Sequence, residues 1–405
     1  MKNGVMLLFA GFVVLPCLVW ASWFSQTSGT TNDHWSVHFP VDASTGFAVG
    51  YRGTILKTTN GGMNWDSLTS GTTNDLWSVH FPVDASTGFA VGYRGTILKT
   101  TNGGANWDSL TSGTTSFLFS VYFPVDAITG YAVGSVGTIL KTVTGGGVWF
   151  SQTSGTTNEL HSVHFPVDAM TGYAVGEIGA ILKTVNGGGV WSSSHATLPS
   201  RSVHFPVDAI TGYAVGYAGI ILKTTNGGAN WVAQASGTTS FLTSVHFPVD
   251  ALTGYVVGFG GTILKTTNGG ANWVAQTANG SVMSVYFPVD ALTGYTVGGA
   301  GTILKTTDGG VWVEEEKADA RCKKLDVRLQ IRQNPIRRAV GLRRGAIGNG
   351  QEAELRIYDA AGKMVRDLSG LPTDRWVTID LSPGVYFVRL DVGGNAITKK
   401  VVVVE

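Results

Sequence analysis

The segment SVHFPVDASTGFAVGYRGTILKTTNGGMNW (residues 36–65) is one of seven near-copies in this chain. Its opening SV-His/Tyr-FPVD element starts at Ser36, Ser78, Ser120, Ser162, Ser202, Ser244 and Ser284, at spacings of 40 or 42 residues. A chain written this way must stack copies of one supersecondary unit. No helical period runs through the unit. It holds four short runs rich in Val, Ile, Phe, Tyr and Trp, separated by Gly, Asn, Asp and Pro. In the second copy and its flanks these are strand a (LWSVHF), strand b (GFAVG), strand c (GTILKT) and strand d (WDSLTS). Four strands per unit and seven units predict an all-β fold, a seven-bladed β-propeller. Apolar neighbours such as Ile55 and Leu56 fit blades covered on both faces. The 56 glycines and the 14% charged residues suit tight turns better than long solvated helices.

The ends of the repeat array predict how the ring closes. WFSQTSGTTN at 23–32 reads as a strand d with no a, b or c before it, and the same string recurs at 149–158. The last copy reaches Trp312 and runs into VEEEKADAR. Residues 23–31 are therefore expected to close the seventh blade and remove an exposed edge. The resulting organisation is a signal peptide at 1–21, a propeller at 22–313, a linker at 314–324 and a second domain at 325–405. Lys2, the apolar run Val5–Trp20 and cleavage after Ala21 carry the signal-peptide reading. Cys17 raises a lipoprotein alternative, which Pro16 fits poorly. Cleavage would leave Cys322 as the one cysteine, so an exported chain would lack an intrachain disulfide and depend on packing. The propeller holds ten basic against fourteen acidic side chains, and residues 314–405 hold 17 against 13. Neither balance points to nucleic acid.

The turn TTNGGMNW resembles the Asp-box of bacterial neuraminidase repeats, with Thr58, Asn60, Gly62 and Trp65 at its key positions. Asn60, Asn102, Asn186, Asn226, Asn268 and Asp308 are thus expected to shape turns, not to catalyse. Across roughly 23–313, the succession TG(F/Y)AVG, GTILKT and NGG with a following Trp resembles the photosystem II assembly factor family of chloroplasts and cyanobacteria. That resemblance implies a propeller and an Arg-rich binding patch. The propeller here has only Arg52, Arg94 and Arg201.

In the C-terminal region, AELRIYDAAGKMVRDL, RWVTIDLSPGVYFVRLDV and AITKKVVVVE read as strands of a small immunoglobulin-like β-sandwich. Asn334-Pro335, IYDAAGKMV, LSPGVYFVRL and TKKVVVV together resemble the C-terminal sorting domain of the type IX (Por) secretion system. This implies export through the periplasm to the cell surface or medium, with the secretion machinery as partner of residues 325–405. A plain binding module is the alternative, and Lys399 and Lys400 are either part of the signal or solvated strand residues.

In an up-and-down blade the a–b and c–d turns lie on one face, and the b–c and d–a connections on the other. Variation between copies collects on the second face, where rigidly held loops suit binding. Its candidate contacts are Tyr51, Arg52, Tyr93, Arg94, Glu177, Tyr217, Phe259, Trp35 and Trp77, a set suited to a glycan or peptide. His38, His80, His164, His204 and His246, with Tyr122 and Tyr286, repeat at one site of strand a. They form either a metal- or anion-binding ring or a duplicated residue bonded to backbone, and seven-fold spacing spreads metal ligands apart. One Lys per strand c and one Asp per FPVD element are expected to pair as charges. A neuraminidase-like glycosidase would need an acid–base pair from Asp33, Asp75, Glu159 and Glu177, and no local motif supports one. The expectation is a monomeric, cofactor-free binding or structural protein. An assembly-factor-like chaperone and a glycoside hydrolase are the alternatives.

Overall fold

A computed structural model describes residues 23–195, 199–276, 278, 280–310, 329–334, 339–344, 353–359, 363–368, 376–380, 384–392 and 395–403. The signal segment, Trp312 and the linker lie outside them. The chain divides into two compact units, 1–313 and 314–405.

The first unit is a ring of seven four-stranded antiparallel sheets. Blade one is typical, with strand a at His34–His38, b at Gly46–Gly50, c at Ile55–Thr58 and d at Asp66–Leu68. Strand b is buried along its whole length in every blade. Burial on both faces explains its unbroken apolar GFAVG-type sequence. Gly50 is required by close approach: a Cβ there would run into the Asp33 carbonyl oxygen. Neighbouring blades interdigitate, with Phe47, Val49 and Ile55 of blade one packing on Leu76, Val79 and Phe81 of blade two. The same contact joins blade seven to blade one, through Tyr295, Val297 and Ile303 against Val37, Phe39 and Leu56.

Blade seven takes its outer strand from the other end of the unit. Phe24–Gln26 pairs antiparallel with Ile303–Lys305. Trp23 precedes it and meets Phe287 edge-on at 5.9 Å, as Trp65 meets Phe39 at 6.1 Å. Trp23 therefore fills the place that a Trp after the NGG turn fills in the other blades. Its indole donates to Gln276 Oε1 at 2.8 Å, while the indole nitrogens of the six equivalent tryptophans are buried without partners.

The second unit contains two antiparallel sheets. One joins Leu329–Asn334, Ala339–Arg344 and Trp376–Asp380; the other joins Met364–Asp367, Ala353–Asp359, Gly384–Val392 and Asn395–Val403.

Candidate functional site

Strand a carries a bulge at one place in every blade. The register slips between its first and third residues, as between Leu76 and Ser78, so the second residue drops out of the ladder. Bulges re-aim side chains. Here they aim Trp35, Trp77, Phe119, His161, Arg201, Thr243 and Met283 into a cavity of about 220 Å³ at the channel mouth. No two blades after the second share a residue there. The next residue is Ser in all seven blades, and each Oγ accepts the amide of the Val one blade onward, at 3.2–3.4 Å. Seven hydroxyls so floor the cavity and stitch the blades together.

The tips around this mouth are tight turns. Thr54 N donates to Tyr51 O at 3.1 Å, and Arg52 sits left-handed at φ 52° before Gly53 at φ 70°. Two successive positive φ values make a type I′-like turn, which matches the twist of paired strands. Arg94, Val136, Ile178, Ala218 and Ala300 repeat the left-handed residue. This conformation holds Arg52 and Arg94 out into solvent. The Arg52 guanidinium lies 5.2 Å from the Tyr51 ring centre, and Arg94 lies 5.6 Å from that of Tyr93.

Aromatic contacts link tips and mouth on one side of the ring. Tyr51 meets Trp35, Trp35 meets Trp77 at 6.1 Å, and Trp77 meets Tyr93, Phe117 and Phe119. Across the ring, Tyr217 stacks on Phe241 at 4.1 Å, and Phe241 touches Phe259. Tyr51, Tyr217 and Phe259 are 40%, 39% and 43% exposed. Between these groups lies a polar relay. Arg201 NH1 donates to His161 Nδ1 at 2.7 Å, and His161 Nε2 donates to Glu177 Oε1 at 3.1 Å. Burial first, then the Arg201 charge, lowers the His161 pKa to about 4, so the imidazole bridging the two charges is neutral. Burial foremost, then the nearby Glu177 charge, raises the Tyr217 phenol pKa.

The structure thus places Trp35 and Trp77 in the cavity wall, Phe259 at its lip, and Tyr51, Arg52, Tyr93 and Arg94 on tips. Phe119, His161, Arg201, Thr243 and Met283 were not singled out from sequence. Their signal was available as the residue before each SV, which takes six identities in seven copies.

Other repeated residues hold the scaffold. Nδ1 of His38, His80, His164, His204 and His246 accepts a Phe amide of the next blade at 3.3–3.4 Å. With Tyr122 and Tyr286 they form a closed circle of rings whose centres are 4.7–5.0 Å apart. Among the described residues no cluster of three or more His, Cys, Asp or Glu suits a metal.

The expected Lys–Asp pairing is corrected. Each strand-c Lys donates instead to a Gly carbonyl of the next blade's NGG turn, as Lys57 does to Gly103 O at 2.7 Å. The Asp of each FPVD element caps its own turn. The Asp42 carboxylate accepts from the Ser44 hydroxyl and from the Ser44 and Thr45 amides, which lower its pKa in that order. Lysine and aspartate each find nearer backbone partners, so neither needs the other. Asp33 and Asp75 accept the Ala300 and Arg52 amides of neighbouring tips at 2.8 and 2.9 Å. In the Asp-box turns, Asn60 Oδ1 accepts from the Thr58 hydroxyl and the Asn64 amide at 3.0 Å each. Asn102, Asn186, Asn226 and Asn268 repeat both bonds, and Asp308 accepts from Thr306 and from the Gly310 amide. Thr144 fills the place in the third copy.

Comparison with known proteins agrees with this architecture. Residues 16–115 and 148–236 match the family described as photosynthesis system II assembly factor YCF48. Residues 334–404 match the secretion system C-terminal sorting domain. Among solved structures, YCF48 from Cyanidioschyzon merolae superposes with a TM-score of 0.59 at 20% identity, covering 71% of this chain and 99% of that one. A structure of YCF48 bound to D1 peptide gives 0.60 at 18%, covering 74% and 99%. No curated protein matches. The chain therefore carries a YCF48-like propeller and a sorting tail that directs it to the cell surface or beyond.

Proposed function

We propose that this chain, a YCF48-like propeller with a secretion sorting tail, is a non-catalytic binding protein that works outside the cell through its variable face. The observation that carries the reading is the bulged ring: seven equivalent side chains, diversified within an otherwise repeated scaffold, converge on one cavity. Aromatic rings and a few fixed polar groups are the usual lining of a binding site. Its occupant on this reading is a surface glycan or a peptide. A hydrolytic role is not favoured, because Asp33 and Asp75 serve as acceptors for neighbouring tips and Glu177 is held by His161. An assembly-factor role would call for a concentrated basic patch, whereas Arg52 and Arg94 stand on adjacent tips and Arg201 sits at the channel mouth. Periplasmic transit before surface delivery and a monomeric state belong to the same proposal.

A glycan and peptide array probed with the purified protein tests it. Binding is expected, and Tyr51→Ala with Tyr93→Ala should weaken it about ten-fold, since aromatic and Arg contacts dominate binding energy. Unchanged melting should accompany the loss. A ligand mapped to the Asp-box face would overturn the reading.

A further inference from the structure

We infer that the channel-mouth cavity is a site for one carboxylate-bearing sugar, a uronic acid at the end of a saccharide chain; this rests on the binding reading above. Three features of the cavity select that chemistry. Its wall holds Trp35, Trp77 and Phe119, whose faces carry negative charge and suit the C–H face of a sugar ring. Its floor holds seven serine hydroxyls whose oxygens accept backbone amides. A hydroxyl is also a donor, and none of these seven protons is given to another described residue. Seven donors at one level match a ligand rich in hydroxyls. A peptide backbone brings few acceptors to such a floor and more commonly pairs with a strand edge.

The third feature is charge. Arg201 carries the formal charge among the lining residues. One of its five N–H groups goes to His161 at 2.7 Å, and its guanidinium lies 5.5 Å from the Phe119 ring centre. The other four donors have no partner among the described residues, and a guanidinium fork fits a carboxylate. Glu159 and Glu177 interact with Arg201 electrostatically but do not line the cavity. Glu177 is occupied by His161, so the relay steadies the guanidinium and leaves its fork open. At about 220 Å³ the cavity is smaller than the roughly 300–1,000 Å³ of sites for drug-sized ligands. It suits one terminal ring, with the rest of the chain passing out over the tips.

Calorimetric titration of the full-length mature protein tests this with oligosaccharides ending in glucuronic or galacturonic acid, their neutral glucose- and galactose-ended counterparts, and a short peptide with a free C-terminus. The acidic sugars should bind at least ten-fold more tightly than the neutral ones. Arg201→Gln should bring the two to parity. Met283→Trp, which fills the mouth without touching the relay, should abolish binding in a protein that still melts cooperatively. Equal binding of acidic and neutral sugars by the unaltered protein overturns the inference, as does preference for the peptide. If Met283→Trp leaves glycan binding intact while Tyr51→Ala removes it, the binding face stands and this site falls. Absence of binding to every probe overturns this inference, while the broader array decides the binding face.

Discussion

At the residue scale, the five strand-a histidines show what duplication preserved. Each serves as an acceptor through Nδ1, so the folded ring needs the neutral form. Burial lowers His80 and His204 to a pKa of about 4, and lowers His38, His164 and His246 well below 6.5, with neighbouring imidazoles adding to the shift in these three. In the unfolded chain these side chains titrate near 6.5. Between about pH 6.5 and 4 the unfolded state therefore binds more protons, and stability must fall as pH falls. The melting temperature should be flat above pH 7 and drop steadily from pH 6.5 to 4, before carboxylates such as Asp42 titrate. Replacing His80 and His204 with Tyr, the residue that the ring accepts at positions 122 and 286, should flatten that slope. Equal slopes in the two proteins would assign the acid sensitivity elsewhere.

At the element scale, the blades were legible in sequence because every strand and turn recurs, and seven copies average out local ambiguity. The closing strand was legible for the same reason, since WFSQTSGTTN appears once in place and once alone. The cavity was legible only in part: the varying d–a connections marked its face and Trp35 and Trp77 stood out as aromatics, but nothing in the sequence marked the bulge that turns His161 and Arg201 into one cavity. The Lys–Asp expectation failed because charge matching alone says nothing of nearer backbone carbonyls. Comparing copies also exposes a flaw. The first residue of strand a is Leu in four blades and Val in the seventh, but His34 in blade one and Ser200 in blade five, all fully buried. Both His34 ring nitrogens lack partners, and burial lowers its pKa to about 4 against the pull of Asp33. Unsatisfied buried polar atoms cost about 1–3 kcal/mol. His34→Leu should therefore stabilise the ring by about that amount in denaturant unfolding. Because blade one meets blade seven at the closure, the gain should also slow unfolding. A destabilised variant would show that His34 has a bond that the unliganded ring does not display.

At the scale of the whole molecule, two units divide the labour. Circular closure satisfies the propeller's own edges: Phe24–Gln26 covers strand c of blade seven, and Trp23 completes its core. Among the described residues, none of the propeller's sheets takes a strand from residues 314–405. A ring that is complete in itself should fold without the second unit. The sorting match covers 334–404, confined to that second unit. Deleting residues 325–405 should then separate folding from address. The truncated protein should keep its cooperative melt within a few degrees, because the described strands of all seven blades come from residues 24–306. In the native host it should no longer reach the surface or medium, and should accumulate in the periplasm. Fractionation with an antibody against the propeller reads the second outcome, and thermal melting of the purified fragment reads the first. Surface delivery of the truncated chain would remove the sorting role. A fragment that fails to melt cooperatively would show instead that the ring depends on the tail.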